Sequence, residues 1–261
     1  LLENLRFHDG EEKNSPKFVQ ALAELADFYV NDTFSCSHRK HASIYGIAKS
    51  LPSAAGKLLQ KEINSIEEVL ASQDKPLTVI TGGSKVSTKL SLLCNLVTKA
   101  DNLIIGGAMA NTFLKAQGFE IGKSLFEENL VEEAKAILAK AKKNHCNIIL
   151  PSEVVVAHGL VDKPKTKILD VSKISVKSMI LDIGPKTIEQ IALTLSSSKT
   201  VIWNGPLGAF EYRPFDVGTI SVARYVASLT SAKKLISLAG GGDVVSALGI
   251  AGLTESFTYI S

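Results

Sequence analysis

Five glycine-rich turns are the segments of this sequence best suited to binding a phosphate. Each follows an apolar run and precedes a segment of helical character, so each would present the free N–H groups of a helix N-terminus. Glycine is also common wherever a strand turns tightly into a helix. Five such turns at one edge of one sheet favour a polyphosphate site over a purely structural role. The turns are TGGSK (81–85), GGAM (106–109), DIGP (182–185), NGPLG (204–208) and AGGGD (239–243).

Two lysines follow the first turn. Lys85 and Lys89 are four residues apart, so they share one face of the helix that we predict to start there. Positive charge is normally unfavourable at a helix N-terminus, because it adds to the positive end of the dipole, unless an anion occupies the turn. A pair of solvated surface lysines is the alternative. Because Gly82 and Gly83 precede them directly, we interpret the pair as part of an anion site.

Later turns contribute an amide and two carboxylates. Asn204 could contact a phosphate, and Glu211, seven residues on, could bind ribose hydroxyls or lie free on the surface. Asp243 follows three glycines at a predicted helix start, where it could cap that helix. It could equally hold Mg²⁺, directly or through water, since Mg²⁺ favours one or two carboxylates together with phosphate oxygens. Spacing alone does not decide between these alternatives.

Basic side chains are concentrated in the first fifty residues. Arg6 and His8 lie at the end of a predicted strand (1–8), and the segment SHRKH (37–41) follows a predicted strand at 27–32. If both strands end at the same edge, these residues make a basic patch that faces a small anion.

Two other patterns in the sequence resemble known motifs and fail on spacing. Cys36, His38 and His41 could indicate a metal, but their spacing matches no standard zinc pattern and lacks a fourth ligand. GFEIGKS (118–124) resembles a Walker A loop, but it has three residues between its glycines where the motif needs four. No turn fits G-x-G-x-x-G, which argues against a dinucleotide-dependent dehydrogenase.

The elements that must position these residues alternate between strand and helix, which predicts an α/β fold with a parallel sheet and right-handed crossovers. The strand-like runs are apolar throughout, as expected for strands covered on both faces. A helical segment (126–144) between two of them places its apolar residues on one face. The runs are LTVI (77–80), NLIIG (102–106), NIIL (147–150), MILDIG (179–184), TVIWNG (200–205) and LISLAGG (235–241).

A long amphipathic helix predicted at residues 53–72 divides the chain. It separates the shorter α/β pattern of residues 1–50, with its own helix near 16–26, from the repeated units that begin at Leu77. We place the domain boundary near Ala54, giving a partial N-terminal domain (1–54) and a second part (55–261) that consists of the connecting helix and the nucleotide domain.

Bulk composition is that of an ordinary globular chain. Hydrophobic residues make up 45% and charged residues 21%, and the net charge of +3 argues for neither nucleic acid nor a membrane surface as partner. Three widely spaced cysteines form no disulfide framework, which favours a reducing, cytoplasmic location. We expect a monomer. The first and last residues look like strands that need neighbours, so we expect a truncated chain.

These segments, in this order, closely resemble phosphoglycerate kinases of bacterial type. The matching segments span almost the whole chain, so the resemblance is specific. It implies a two-domain hinge enzyme of glycolysis that transfers a phosphoryl group between 1,3-bisphosphoglycerate and MgADP, giving 3-phosphoglycerate and MgATP. It also implies a three-layer, Rossmann-like nucleotide domain and a partial second α/β domain, joined by the long helix. The segments are LLENLRFH, SHRKHAS, GGSKVSTKL, IIGGAMANTFL, LDIGP, WNGPLGAFE and GGGD.

The resemblance also assigns roles to individual residues. In the first part, the phosphoglycerate ligands would be Arg6 and Arg39, with His38 and His41 beside them. In the second part, Lys85 and Lys89 would contact the transferring and nucleotide phosphates and act in catalysis. The other nucleotide ligands would be Gly107 near the adenosine, Asn204 near the phosphates, Glu211 on the ribose, and the turn of Gly241, Gly242, Asp243 and Val244, with Asp243 at the Mg²⁺.

The sequence departs from the family pattern in several places. The family's opening strand with its DFN-type motif, its HxGRP-type segment and the glycine-rich turn expected after Ser261 are absent, and Val244 stands where a Thr or Ser is usual. We therefore expect the parent protein to be a phosphoglycerate kinase, and this fragment to bind adenine nucleotide weakly and to turn over poorly or not at all. The alternative is a non-catalytic adenine-nucleotide-binding α/β protein.

Overall fold

The computed structural model describes residues 1–71, 75–161 and 164–260. Their packing separates them into two units, residues 1–71 and residues 75–260. The long helix groups with the first unit, whereas the sequence placed the boundary near Ala54 and grouped the helix with the residues that follow. The assignment of separate functions to residues 1–54 and 55–261 stays a prediction.

The first unit consists of short helices, the long helix and a small parallel sheet of two strands, in which Tyr29 pairs with Ser53 and Asn31 with Ala55. Val19, Leu22 and Ala42 form its buried core. Its elements are α1 (Asp9–Glu12), α2 (Pro16–Ala23), β1 (Tyr29–Asn31), α3 (Ile47–Ser50), β2 (Ser53–Ala55) and α4 (Lys57–Ala71).

The strand predicted at residues 1–8 is wrong. This segment contains a 3₁₀ helix, Leu5–Phe7, which begins where the Asn4 side chain accepts a hydrogen bond from Arg6 N at 3.1 Å. A local side-chain cap of this kind competes with extended pairing and explains why the apolar residues do not form a strand.

The long helix begins later than predicted. Residues 53–55 are the second strand of the small sheet, and the helix starts at Lys57. Its first turn is capped from a distance, because Asp32 Oδ1 accepts from Leu58 N at 2.7 Å and from Leu59 N at 3.0 Å. A carboxylate at this position satisfies free N–H groups and complements the helix dipole.

The second unit is an α/β domain in which six strands form a parallel sheet, in the order β11-β10-β9-β3-β4-β5. Its elements before the second sheet are β3 (Leu77–Thr81), α5 (Leu90–Leu96), β4 (Asn102–Ile105), α6 (Gly107–Ala116), α7 (Val131–Lys143) and β5 (Asn147–Ile149). The second sheet follows, made of β6 (Glu153–Ala157), β7 (Lys167–Asp170) and β8 (Met179–Ile183). The chain ends with α8 (Pro185–Ser197), β9 (Thr200–Asn204), α9 (Val217–Ser231), β10 (Ile236–Gly240), α10 (Gly242–Ile250) and β11 (Tyr259–Ile260).

Helices cover both faces of the six-stranded sheet, so the predicted α/β architecture is confirmed. Along β3, Val79 packs into a core shared with α5, α6 and α7, and Ile80 packs into the opposite core with α8, α9 and α10. The fully buried Trp203 belongs to the second of these cores. Continuous apolar strands are what a sheet buried on both faces requires.

The run at 179–184 lies outside the parallel sheet in which the sequence placed it. It forms β8, which pairs antiparallel with β6, and β7 completes a separate three-stranded sheet in the order β7-β6-β8. A short apolar run is typical both of a strand in a parallel core and of a strand in an antiparallel sheet covered by a helix, so periodicity could not distinguish the two.

Among the described residues, no helix combines the length and apolar character needed to cross a bilayer.

The turns that follow β3 and β9 are packed backbone against backbone. Gly82 N donates to Asn204 O at 3.0 Å. A Cβ placed on Gly82 would lie 1.8 Å from Pro206 O, and one on Gly205, whose φ is +93°, would lie 2.3 Å from Gly82 O. Neither turn has room for a side chain at these two positions.

We expect Gly82→Ala to lower the free energy of unfolding by about 1–3 kcal/mol, because the new methyl group forces the two turns apart. Urea denaturation followed by circular dichroism measures the loss. Gly159→Ala is the matched control, since a Cβ there meets nothing within 4 Å. Equal stabilities of the two variants would show that the turns are not tightly packed.

Candidate functional site

Four of the five glycine-rich turns meet at one edge of the six-stranded sheet. They follow β3, β4, β9 and β10, whose carboxyl ends lie together because all four strands are parallel. The fifth turn (182–185) follows β8 and so belongs to the second sheet, contrary to the prediction of five on one edge. Four converging turns still provide the backbone geometry that suits an anion.

The first of two adjoining pockets at this edge, here called the glycine pocket, has a volume of about 250 Å³. It brings together Lys85, Lys89, Asn204 and the turn 241–243, as the sequence predicted. Its lining consists of Gly82, Gly83, Ser84, Lys85, Thr88, Lys89, Asn204, Gly205, Gly241, Gly242 and Asp243.

The Lys89 ammonium donates to both of the packed turns. Its Nζ lies 2.8 Å from Gly82 O, 3.1 Å from Asn204 O and 2.6 Å from Asn204 Oδ1. These three close acceptors match the three N–H groups of a lysine. Burial lowers the pKa of Lys89, and the nearby Asp243 carboxylate opposes that shift. Lys89 is thus positioned to hold the turns together.

Lys85 differs from Lys89 in its surroundings. Helix α5 begins at Leu90, so the two lysines precede the helix and do not share its face as predicted. The segment that carries Lys85 is fixed instead by Glu127, whose carboxylate accepts from Ser87 N at 2.9 Å and from the Ser87 hydroxyl. The Lys85 side chain is exposed at the glycine pocket, where it can reach an anion.

Asp243 lies in the first turn of α10 but does not cap it. The N-cap is Gly241, with a φ of +95°, and Asp243 is the second residue of the helix. Its exposed carboxylate lines both pockets. Val244 is 1% exposed and packs in the sheet core, so its side chain is not a ligand and its contribution is limited to the free N–H near the helix start.

The second pocket, here called the large cavity, has a volume of about 400 Å³ and shares Gly83, Ser84 and Asp243 with the glycine pocket. Its other lining residues are mainly apolar, and they include Leu125, Leu160, Met179, Ile180, Leu181 and Phe210. Gly107 and Glu211, predicted to contact a nucleoside, both line it, and the Glu211 side chain is exposed. An apolar slot that opens onto a turn-lined anion pocket suits a nucleotide.

Asp182 is a buried carboxylate in the wall of the large cavity and is 2% exposed. Its Oδ1 accepts from Ile183 N at 2.9 Å, and its Oδ2 accepts from Gly218 N, at the start of α9, at 2.7 Å. Burial raises the pKa of Asp182 to about 7, and Asp216 adds to the shift, whereas the two N–H groups oppose it. Asp182 ties β8 to the helix that follows the Glu211 loop.

The predicted phosphoglycerate ligands lie in the first unit and are linked through α1. Arg6 Nε is 3.7 Å from Glu12 Oε1, and His41 Nδ1 is 3.7 Å from Glu11 Oε1. His38 is exposed and Arg39 half-buried in the turns between β1 and His41. Among the described residues, no group of three or more His, Cys, Asp and Glu could hold a metal, so the alternative of a metal at Cys36, His38 and His41 is not supported.

A family model described as phosphoglycerate kinase matches residues 1–261. The chain belongs to the phosphoglycerate kinase family. It is 51% identical over 261 residues to the phosphoglycerate kinase of Agrobacterium fabrum and 52% identical to that of Cereibacter sphaeroides (strain ATCC 17029), in each case over 100% of the chain. It covers 65% and 66% of these two phosphoglycerate kinases.

Solved structures of phosphoglycerate kinases share the fold. The enzyme from Coxiella burnetii aligns over 99% of this chain with a TM-score of 0.83 and 39% identity. The enzyme from Pyrococcus horikoshii aligns over 100% with a TM-score of 0.83 and 29% identity. In both cases the chain spans 66% of the length of the phosphoglycerate kinase that it matches.

Sequence reasoning missed three acidic residues of this family member: Glu11, Glu127 and Asp182. Each acts on an element remote in sequence, with Glu11 bound to Ser43, Glu127 to Ser87 and Asp182 to Gly218. Only Asp182 had a sequence feature that could have indicated its role, because it stands inside an apolar strand directly before a glycine turn.

The Asp182→Asn substitution should change how stability depends on pH. The folded pKa of about 7 lies above the ordinary aspartate pKa of 3.8, so the folded state binds the proton more tightly. The free energy of unfolding of the wild type therefore falls as pH rises from about 4 to about 7. Relative to the variant, we expect the wild type to lose about 2–3 kcal/mol between about pH 5 and about pH 8.

Urea denaturation of both proteins at the two pH values measures this difference. A constant difference in stability between wild type and Asp182→Asn would show that the carboxyl group ionises normally in the folded protein.

Proposed function

We propose that this chain binds an adenine nucleotide and takes part in reversible phosphoryl transfer between 1,3-bisphosphoglycerate and MgADP, giving 3-phosphoglycerate and MgATP. Membership of the phosphoglycerate kinase family suggests the reaction. The observation that carries the proposal is the continuity of the glycine pocket with the large cavity through Gly83, Ser84 and Asp243.

In this proposal the nucleotide extends across both pockets. The base occupies the apolar part of the large cavity near Gly107, and the ribose hydroxyls bind Glu211 at the exposed side. The phosphates enter the glycine pocket, where Asn204 and the turn of Gly241 and Gly242 lie. Gly242 has open space around its Cα, since an added Cβ would meet nothing within 4 Å, and its N–H begins α10. Open space beside free N–H groups is what a phosphate needs.

The two lysines have different roles in this proposal. Lys85 is exposed and contacts the transferring phosphoryl oxygens, where it stabilises the charge that develops in the transition state. Lys89 keeps its contacts to Gly82 and Asn204, so it fixes the positions of the two turns and adds a positive charge beside the phosphates. Phosphoryl transfer requires little covalent chemistry from a protein. It depends mainly on the positioning of the phosphates and of the charges beside them.

Mg²⁺ fits the residues present. Asp243 offers one exposed carboxylate at the junction of the two pockets, and Mg²⁺ takes one or two carboxylates together with phosphate oxygens. When bound, the metal would neutralise charge on the phosphates, and Asp243 would hold it directly or through water.

In the first unit, we propose that Arg6, His38, Arg39 and His41 bind the phosphoglycerate. The basic character of these residues supports this role. Arg6 and His41 would exchange their present partners, Glu12 and Glu11, for the substrate's anionic groups. The three cysteines Cys36, Cys94 and Cys146 are free, which supports a cytoplasmic location, and we propose a monomer.

Calorimetric titration of the full chain with MgADP tests the nucleotide site. We expect Lys85→Ala and Gly242→Ala each to weaken binding by about tenfold, through loss of a charge-assisted contact and through a methyl group in the phosphate space. Both variants should keep the wild-type melting temperature. Lys142→Ala, an exposed lysine on α7, is the control and should bind as the wild type does. Unchanged affinity in both pocket variants would place the nucleotide elsewhere.

A coupled assay for ATP formation from 1,3-bisphosphoglycerate and ADP tests the transfer step. Because the chain covers 65–66% of its relatives, we expect slow turnover. Loss of that slow turnover in Lys85→Ala would support the proposed kinase chemistry. Tight MgADP binding with no transfer would instead favour the alternative of a non-catalytic nucleotide-binding protein.

A further inference from the structure

The Glu127 carboxylate binds the segment that carries Lys85 with both of its oxygens. Oε2 accepts from Ser87 N at 2.9 Å, and Oε1 accepts from the Ser87 hydroxyl at 2.5 Å. Burial would raise the pKa of Glu127, but the hydrogen bonds from Ser87, with the charge of Lys85, outweigh it, so this pKa lies below its ordinary value. The carboxylate is therefore ionised at neutral pH, and its bonds to Ser87 are charge-assisted.

Packing fixes this segment at only one residue. Val86 is fully buried in the core shared with α5, α6 and α7, whereas its neighbours Lys85 and Ser87 are both exposed. The Thr88 hydroxyl donates to Lys85 O at 3.0 Å, but this bond is internal to the segment. A single buried side chain leaves much of the conformational freedom of the exposed backbone beside it. The two bonds from Glu127 reduce that freedom two residues away from Lys85.

Glu127 is itself held by buried polar side chains of α6. Thr112 Oγ1 accepts from Glu127 N at 3.1 Å. Two residues earlier, Leu125 O accepts from Asn111 Nδ2 at 2.9 Å. Thr112 and Asn111 are each 1% exposed, and Leu125 lines the large cavity. The carboxylate that binds Ser87 therefore has a fixed place relative to the walls of the two pockets.

We propose that Glu127 is a positioning residue for Lys85: by binding Ser87, it keeps the segment in the conformation from which the Lys85 ammonium reaches the nucleotide phosphates. This inference rests on the proposed nucleotide site. Lys85 lines the glycine pocket with an exposed, flexible side chain, so its reach depends on where its backbone is held. A segment that is ordered before the nucleotide arrives need not be ordered at the expense of binding free energy.

The negative charge of Glu127 has the opposite effect on binding, which distinguishes positioning from electrostatics. A carboxylate this close to Lys85 repels phosphates, so removal of its charge alone would strengthen MgADP binding. Loss of its hydrogen bonds would weaken binding. We expect Glu127→Ala to weaken MgADP binding about fivefold, because the loss of positioning outweighs the relief of repulsion.

Glu127→Gln is the conservative variant and should restore the affinity to within about twofold of the wild type. Its amide oxygen can accept from Ser87 N, and its N–H₂ group can donate to the Ser87 hydroxyl oxygen, which both donates and accepts. Glu128→Ala is the matched control, because Glu128 is the next carboxylate in the chain and is exposed at the start of a 3₁₀ helix (Glu128–Leu130). It should bind MgADP as the wild type does.

A double-mutant cycle, measured by calorimetric titration of the full chain with MgADP, tests whether Glu127 acts through Lys85. In the Lys85→Ala background, Glu127→Ala should change the affinity by less than about twofold, because there is no ammonium left to position. Ser87→Ala removes the hydroxyl bond from the other partner at an exposed position. It should weaken binding about threefold, again only when Lys85 is present.

The outcomes separate this inference from the proposed function. Wild-type affinity in both Glu127→Ala and Ser87→Ala, or equal losses with and without Lys85, would overturn the positioning role and leave the nucleotide site standing. Tighter binding in Glu127→Ala would show that its charge is the dominant effect and would also overturn the positioning role. A wild-type chain that does not bind MgADP would overturn both proposals.

Discussion

The site depends on the packing of two turns at the ends of β3 and β9, which contact each other through backbone atoms. Gly82 and Gly205 have no space for a side chain, and the Lys89 ammonium bonds to oxygens of both turns. The arrangement holds positive charge at the point where free N–H groups converge. It leaves Lys85 and Gly242 facing open space, so the rigid part of the edge and the part available to a ligand are made by different residues.

Much of this edge could be predicted from the sequence. Apolar strands that end in glycine turns predict a parallel sheet with a phosphate-binding edge, and the prediction placed Lys85, Asn204, Asp243 and Glu211 at the site. Structure and family comparison confirm the fold and the family. The roles given to individual residues remain proposals, and so does the activity, because the chain spans 65–66% of the relatives that it matches.

The sequence could not predict contacts between residues that are far apart in the chain. Asp32 sets the start of α4, β8 leaves the parallel sheet, and Asp182 ties β8 to α9. Periodicity describes the face that a segment buries but not the element that covers it.

We propose that the turns after β3 and β10 act together as one nucleotide site. Amide hydrogen exchange of the full chain, measured by mass spectrometry with and without MgADP, tests it most directly. We expect slower exchange in peptides covering 82–85 and 241–244 at the same nucleotide concentration, with no change along α7. Protection of one turn without the other, or of neither, would contradict it.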